Sequence, residues 1–132
     1  GEEETDYEKM MLDYMNRVLS QKVFTTLEQT KYVKMLEEAT ESLYRKNRER
    51  IFVKQYEGLC LRLLELKKFP ETEKWCRRLV QQHGNTLEAY TCQLKLYFTM
   101  GEREKFFQVM QELKQSDVII DNETLELIRI FS

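Results

Sequence analysis

The chain has 132 residues, 42% hydrophobic and 33% charged, with a formal net charge of −2. That balance is too apolar for a disordered tail, too charged for a bundle of membrane spans, and too near neutral for a global pull toward nucleic acid. Four glycines and one proline are too few turn residues for a sheet-rich domain, so the composition favours long helices.

Gly1 and the acidic run Glu2-Glu3-Glu4-Thr5-Asp6 read as a tag remnant and linker over residues 1–6, ahead of one domain over 7–132. A first helix is expected from about Asp6 to Ser20. Tyr7, Met10, Met11, Tyr14 and Val18 recur at helical spacing and are expected to be its core stripe. Lys22 to Thr26 reads as a break. Thr25 with Glu28 forms a capping box that opens a second helix, running to about Lys46 with Tyr32, Leu36, Ala39 and Leu43 as its apolar stripe.

A third helix is expected over about Arg48 to Leu66, with Phe52, Tyr56, Leu59, Cys60 and Leu63 on one face. Lys67-Lys68-Phe69 makes a turn, and Pro70 suits the first turn of a fourth helix carrying Thr72, Trp75, Cys76 and Leu79. That helix is expected to stop at His83-Gly84-Asn85, where Gly84 suits a left-handed cap. Leu87, Tyr90, Leu94 and Tyr97 mark a fifth helix, Met100-Gly101-Glu102 a turn, and Phe106, Val109, Met110 and Leu113 a sixth. Ser116 to Ile120 reads as a connector. Asp121 or Asn122 then caps a last helix holding Leu125, Ile128 and Phe131.

The turns at Lys67 and Gly101 lie 34 residues apart, the period of a tetratricopeptide unit. Across that offset Tyr56 matches Tyr90, Cys60 matches Leu94, Leu63 matches Tyr97, Cys76 matches Met110, and Leu79 matches Leu113. A further shift places Ile128 beside Leu94 and Phe131 beside Tyr97, which makes the last helix a cap. The expected fold is therefore all-α, a tetratricopeptide-like stack of antiparallel helix hairpins with about seven helices. The small residue usual early in the second helix of a unit is Thr72 in one and Phe106 in the next, so the repeat is degenerate.

Several segments between Tyr56 and Phe131 carry a family resemblance. They are Leu64-Glu65-Leu66-Lys67-Lys68-Phe69, Trp75-Cys76-Arg77-Arg78-Leu79-Val80, Leu87-Glu88-Ala89-Tyr90, Leu96 through Arg103, Val109 through Lys114, and Glu123-Thr124-Leu125. Together they resemble the bacterial transcriptional activator domain, a tetratricopeptide-like module of antibiotic-regulatory-protein-type and response-regulator transcription factors. The resemblance implies a parent protein with a DNA-binding or receiver domain elsewhere. This domain would then serve self-association, including as a homodimer, or contact with the other domains. Glu112 through Asp117 and Asn122 through Leu125 are also similar to the end of a pentatricopeptide unit, a fold whose arrays bind single-stranded RNA.

No chemistry-bearing constellation competes with a binding role. The three cysteines, Cys60, Cys76 and Cys92, form no close pair and the lone histidine is His83, so neither a zinc site nor a disulfide framework is expected. Free thiols fit a reducing compartment, and the cytoplasm is the expected location. No nucleophile elbow or Gly-rich phosphate loop is present, so no catalytic residue, cofactor or metal is expected. Arg45, Lys46, Arg48, Arg50 and Lys54 form a local basic cluster, read as a solvated helix end rather than a phosphate track. In tetratricopeptide modules the first helix of each unit lines a concave groove. The same register assigns a candidate partner groove to Lys54, Glu57, Leu61 and Leu64, then Glu88, Thr91, Lys95 and Phe98. Leu61, Leu64 and Phe98 lie off the core stripes and need a cover, from a partner or, as expected here, from the first two helices. The expected function is non-catalytic protein binding without direct nucleic-acid or membrane contact. The alternatives are a generic tetratricopeptide adaptor holding a peptide in that groove, and a pentatricopeptide-like RNA binder.

Overall fold

The computed structural model describes residues 2–21 and 23–131, with the side chains of all but 2, 4 and 5. Gly1, read above as part of a tag remnant, lies outside them, as do Lys22 in the predicted break and Ser132. The described residues form seven α-helices and no strand: α1 (Glu2–Leu19), α2 (Thr26–Asn47), α3 (Val53–Glu65), α4 (Phe69–His83), α5 (Leu87–Met100), α6 (Arg103–Gln115) and α7 (Asn122–Phe131). A single 3-10 turn over Arg48–Arg50 separates α2 from α3. The chain is therefore all-α. It divides into two compact units, residues 1–68 and 69–132, described in turn.

In the first unit α1 packs on both α2 and α3. It begins at Glu2 rather than near Asp6, so the acidic run is helical. Carboxylates suit the positive end of the helix dipole. Two of the acids also reach across: Asp6 pairs with Arg50 at 2.6 Å and Glu8 with Lys46 at 2.8 Å. The helix presents the opposite face to the one its largest stripe predicts. Leu12 and Leu19 are buried, whereas Tyr7, Met10, Met11 and Tyr14 are 60, 59, 36 and 55% exposed. The orientation is set by polar contacts with α3. Gln55, itself buried, donates from Nε2 to Asp13 Oδ1 at 2.8 Å and accepts the Phe52 N–H at 2.8 Å. Gly58 lets α1 approach closely, since a Cβ there would stand 2.2 Å from Asn16 Oδ1.

Thr25 and Glu28 close the predicted capping box at the start of α2, and these bonds hold the Glu28 carboxyl below its ordinary pKa. Val33, Leu36, Thr40 and Leu43 form the buried face of α2, one residue around from part of the predicted stripe. The third helix starts five residues later than expected, because Ile51 and Phe52 are extended after the 3-10 turn. Tyr56, Leu59, Cys60 and Leu63 are buried as predicted, while Phe52 is exposed with Lys9 Nζ 3.3 Å from its ring centre.

In the second unit α5 contacts α4, α6 and α7. The predicted stripes of α4 (Thr72, Trp75, Cys76, Leu79) and α6 (Phe106, Val109, Met110, Leu113) are buried in full. Leu94, Phe106, Val109, Met110, Leu113 and Ile128 form one apolar cluster, flanked by Tyr90, Tyr97, Phe98, Phe131 and the connector residues Val118 and Ile120. Asp121 caps α7 by accepting the Thr124 N–H at 3.0 Å. Hydrogen bonding from Thr124 is the main reason its carboxyl sits below the ordinary aspartate value. A depressed pKa means stability that is present above the ordinary value and lost as pH falls through the lowered one. Asp121→Ala is therefore expected to cost about 1 kcal/mol near neutral pH. The gap to wild type in urea titrations should close as pH falls through the acid range.

The 34-residue step recurs in the helices. Val53 to Leu87, the starts of α3 and α5, and Phe69 to Arg103, the starts of α4 and α6, are both steps of 34. The turns repeat in the same register. Lys67 N–H bonds Leu64 C=O at 2.9 Å and Lys68 N–H bonds Leu63 C=O at 3.0 Å. Gly101 and Glu102 repeat this onto Phe98 and Tyr97 at 3.2 and 2.9 Å. Both turns pivot on a left-handed residue, Lys67 at φ 58° and Gly101 at φ 72°, and no other described residue has positive φ. Gly84 does not take the left-handed cap expected of it. Thr86 organises that end instead, donating its hydroxyl to His83 C=O at 2.6 Å and accepting the Ala89 N–H at 3.2 Å. A lysine at a left-handed site carries a steric cost that glycine lacks. Lys67→Gly is expected to stabilise the protein by about 0.5–1 kcal/mol, and Gly101→Ala to destabilise it by about 1 kcal/mol, read from chemical-denaturation midpoints.

Candidate interaction surface

The exposed stripe of α1 continues into a groove against α2 of about 250 Å³, walled by Met11, Tyr14, Met15, Val18, Phe24, Tyr32 and Met35. Phe24 and Tyr32 pack against each other with centroids 5.1 Å apart at one end, and Met35 is 48% exposed beside it. The walls are thioether, aromatic and aliphatic, with no charged side chain among them. Arg17 lies 5.9 Å from the Tyr14 ring and Lys31 5.9 Å from the Tyr32 ring, so cations rim the end of the groove nearest the α1–α2 connection. Methionine side chains adapt to varied partners at little cost. Exposed, contiguous apolar surface of this kind marks contact sites on soluble domains.

The groove predicted from the repeat register is placed differently. On α3, Lys54 pairs with Glu57 at 3.4 Å, and Leu61 and Leu64 are half-buried. On α5, Thr91 is buried with its hydroxyl donating to Glu88 C=O at 3.2 Å. Lys95 pairs with Glu123 at 3.0 Å, and Phe98 meets Phe131 edge-to-face at 5.0 Å. Lys95 and Phe98 are thus both engaged by α7, an element the sequence reading did not name as a cover.

The basic cluster is largely paired. Arg45 reaches Glu41 at 3.6 Å, Lys46 reaches Glu8, Arg50 reaches Asp6, and Arg48 stacks 4.3 Å from the Tyr44 ring while donating to its hydroxyl at 2.9 Å. Each pairing competes with a phosphate for the same cation. A second cleft, about 320 Å³ between α4, α5 and α6, mixes Glu73, Arg77, Gln81, Gln93, Tyr97 and Lys105. Burial, then the neighbouring Cys76 and Glu73, push the Tyr97 hydroxyl above its ordinary pKa, so it stays a neutral phenol. Cys60, Cys76 and Cys92 are free and buried. Among the described residues no three His, Cys, Asp or Glu side chains gather as a metal site would require.

No family model matches the chain, and no curated protein or solved structure matches it. No helix among the described residues is long and apolar enough to cross a membrane. The groove of α1 and α2 is absent from the sequence reading. Its signal was present as the methionine and aromatic stripe, which is equally what a core face looks like.

Proposed function

We propose that the chain is a non-catalytic protein-binding module that docks its partner along the α1–α2 groove. The observation that carries this reading is the exposure of Tyr7, Met10, Met11 and Tyr14 along one face of a helix whose other face is already packed. The recurrence of helix starts and turn hydrogen bonds at 34 residues supports a tetratricopeptide-like scaffold. The resemblance of residues 56–131 to the bacterial transcriptional activator domain supports a cytoplasmic bacterial transcription regulator as the parent. Second copies or neighbouring domains of that regulator are then the partners. The free thiols suit that compartment. The paired cations near residues 45–50 favour a protein over RNA as partner, and the engagement of Lys95 and Phe98 by α7 favours the α1–α2 groove over the repeat groove.

Display selection of peptides on the immobilised domain tests this. Amphipathic helical sequences with micromolar affinity are expected, and Met35→Glu should weaken them about tenfold or more, since a carboxylate would be desolvated in the groove. Recovery only of peptides indifferent to both Met35→Glu and Tyr14→Glu would overturn the reading.

A further inference from the structure

We propose that the occupant of this face is a second copy of the chain, with the two α1 helices packed antiparallel about a twofold axis. The proposal rests on the reading of the α1–α2 face as a docking surface and names its partner. A twofold interface must be complementary to itself, so that each residue contacts its opposite number from the other end of the patch. The exposed face of α1 has that property. With the axis between Met10 and Met11, Met10 faces Met11 of the second copy and Tyr7 faces Tyr14. In the same register Glu3 faces Val18 of the second copy, one residue along the helix from its Arg17.

Glu3 and Arg17 are both exposed, lie on the same side of the stripe, and stand about 21 Å apart along the helix by its 1.5 Å rise. The acidic end of one α1 therefore meets the basic end of the other, twice per dimer. Parallel pairing would set Glu3 against Glu3 and Arg17 against Arg17. Four other charges of α1 with described side chains are engaged within the same chain: Asp6 by Arg50, Glu8 by Lys46, Asp13 by Gln55, and Lys9 over the Phe52 ring.

Sedimentation equilibrium on the whole chain tests the pairing. Wild type is expected to dimerise with a micromolar constant. Met10→Glu should give a monomer with an unchanged far-ultraviolet spectrum, because Met10 is 59% exposed. Glu3→Arg and Arg17→Glu should each weaken the dimer about tenfold by turning two attractions into two repulsions. An equimolar mixture of these two variants should form a heterodimer near wild-type strength, since each then supplies the charge the other lacks. A wild type that stays monomeric at near-millimolar concentration, a Met10→Glu variant that still dimerises, or a mixture no tighter than its components would overturn the proposal. Should wild type stay monomeric while selected peptides still bind in a Met35-dependent way, the second copy is excluded and the docking surface stands. Should both fail, the docking reading falls with it.

Discussion

Leu12→Ala is expected to destabilise the protein by about 3 kcal/mol, whereas Met10→Ala, two residues away on the same helix, should change stability by less than about 0.5 kcal/mol. Leu12 has no exposed surface and faces the core shared by α1, α2 and α3, so its truncation loses the transfer free energy of the removed atoms and leaves a cavity. Met10 is 59% exposed, and its side chain gives up little in leaving. Thermal or urea unfolding at low protein concentration, where self-association does not contribute, reads the contrast directly. Equal losses at the two positions would mean that α1 is rotated, with its aromatic face inward.

That contrast isolates what the sequence could not convey about α1. The helix carries two apolar faces, Tyr7-Met10-Met11-Tyr14-Val18 and Leu12-Leu19, and periodicity selects the one with more members. The structure buries the smaller one because contacts from α3 fix the rotation. Gln55 holds Asp13, and the missing side chain at Gly58 admits Asn16. Such a constraint joins residues some forty positions apart, and no local pattern encodes it. Two helices that carry a single apolar face, α4 and α6, were legible in full. The Thr72-Trp75-Cys76-Leu79 and Phe106-Val109-Met110-Leu113 stripes are buried as spaced.

α5 is an intermediate case. Leu94 is buried as expected, but Leu87, Tyr90 and Tyr97 are only half-buried, while Ala89, Cys92 and Leu96 are covered as well. A helix with α4, α6 and α7 around it buries more than one stripe, and a single-stripe reading must miss part of it. The turn at Lys67 was legible ahead of Pro70 even though lysine is a poor residue for a left-handed site, whereas Gly84 misled because glycine alone marks a cap. The candidate groove was hidden for the same reason as the rotation of α1: the residues that line it are those that would fill a core.

Phe106→Ala is expected to cost about 3–5 kcal/mol, the other large effect. Its position in the repeat is held by Thr72 in α4, and both are buried, at 2 and 1% exposure. The large ring is tolerated in α6 because α7 builds a site around it. Phe131 stands edge-on to Phe106 at 4.6 Å and to Phe98 at 5.0 Å, and Arg103 covers the Phe131 ring at 5.0 Å. Phe131→Ala should cost less, about 1–2 kcal/mol, since that ring is only half-buried. The two truncations should not be additive, because edge-to-face pairs carry about 0.5–1.5 kcal/mol beyond their burial. The double variant should therefore be more stable than the sum of the single losses predicts, by roughly that amount. Strict additivity would show that Phe106 is stabilised by α5 and α6 alone. α7 would then be a passive end to the chain rather than the piece that lets the degenerate repeat close over a phenylalanine.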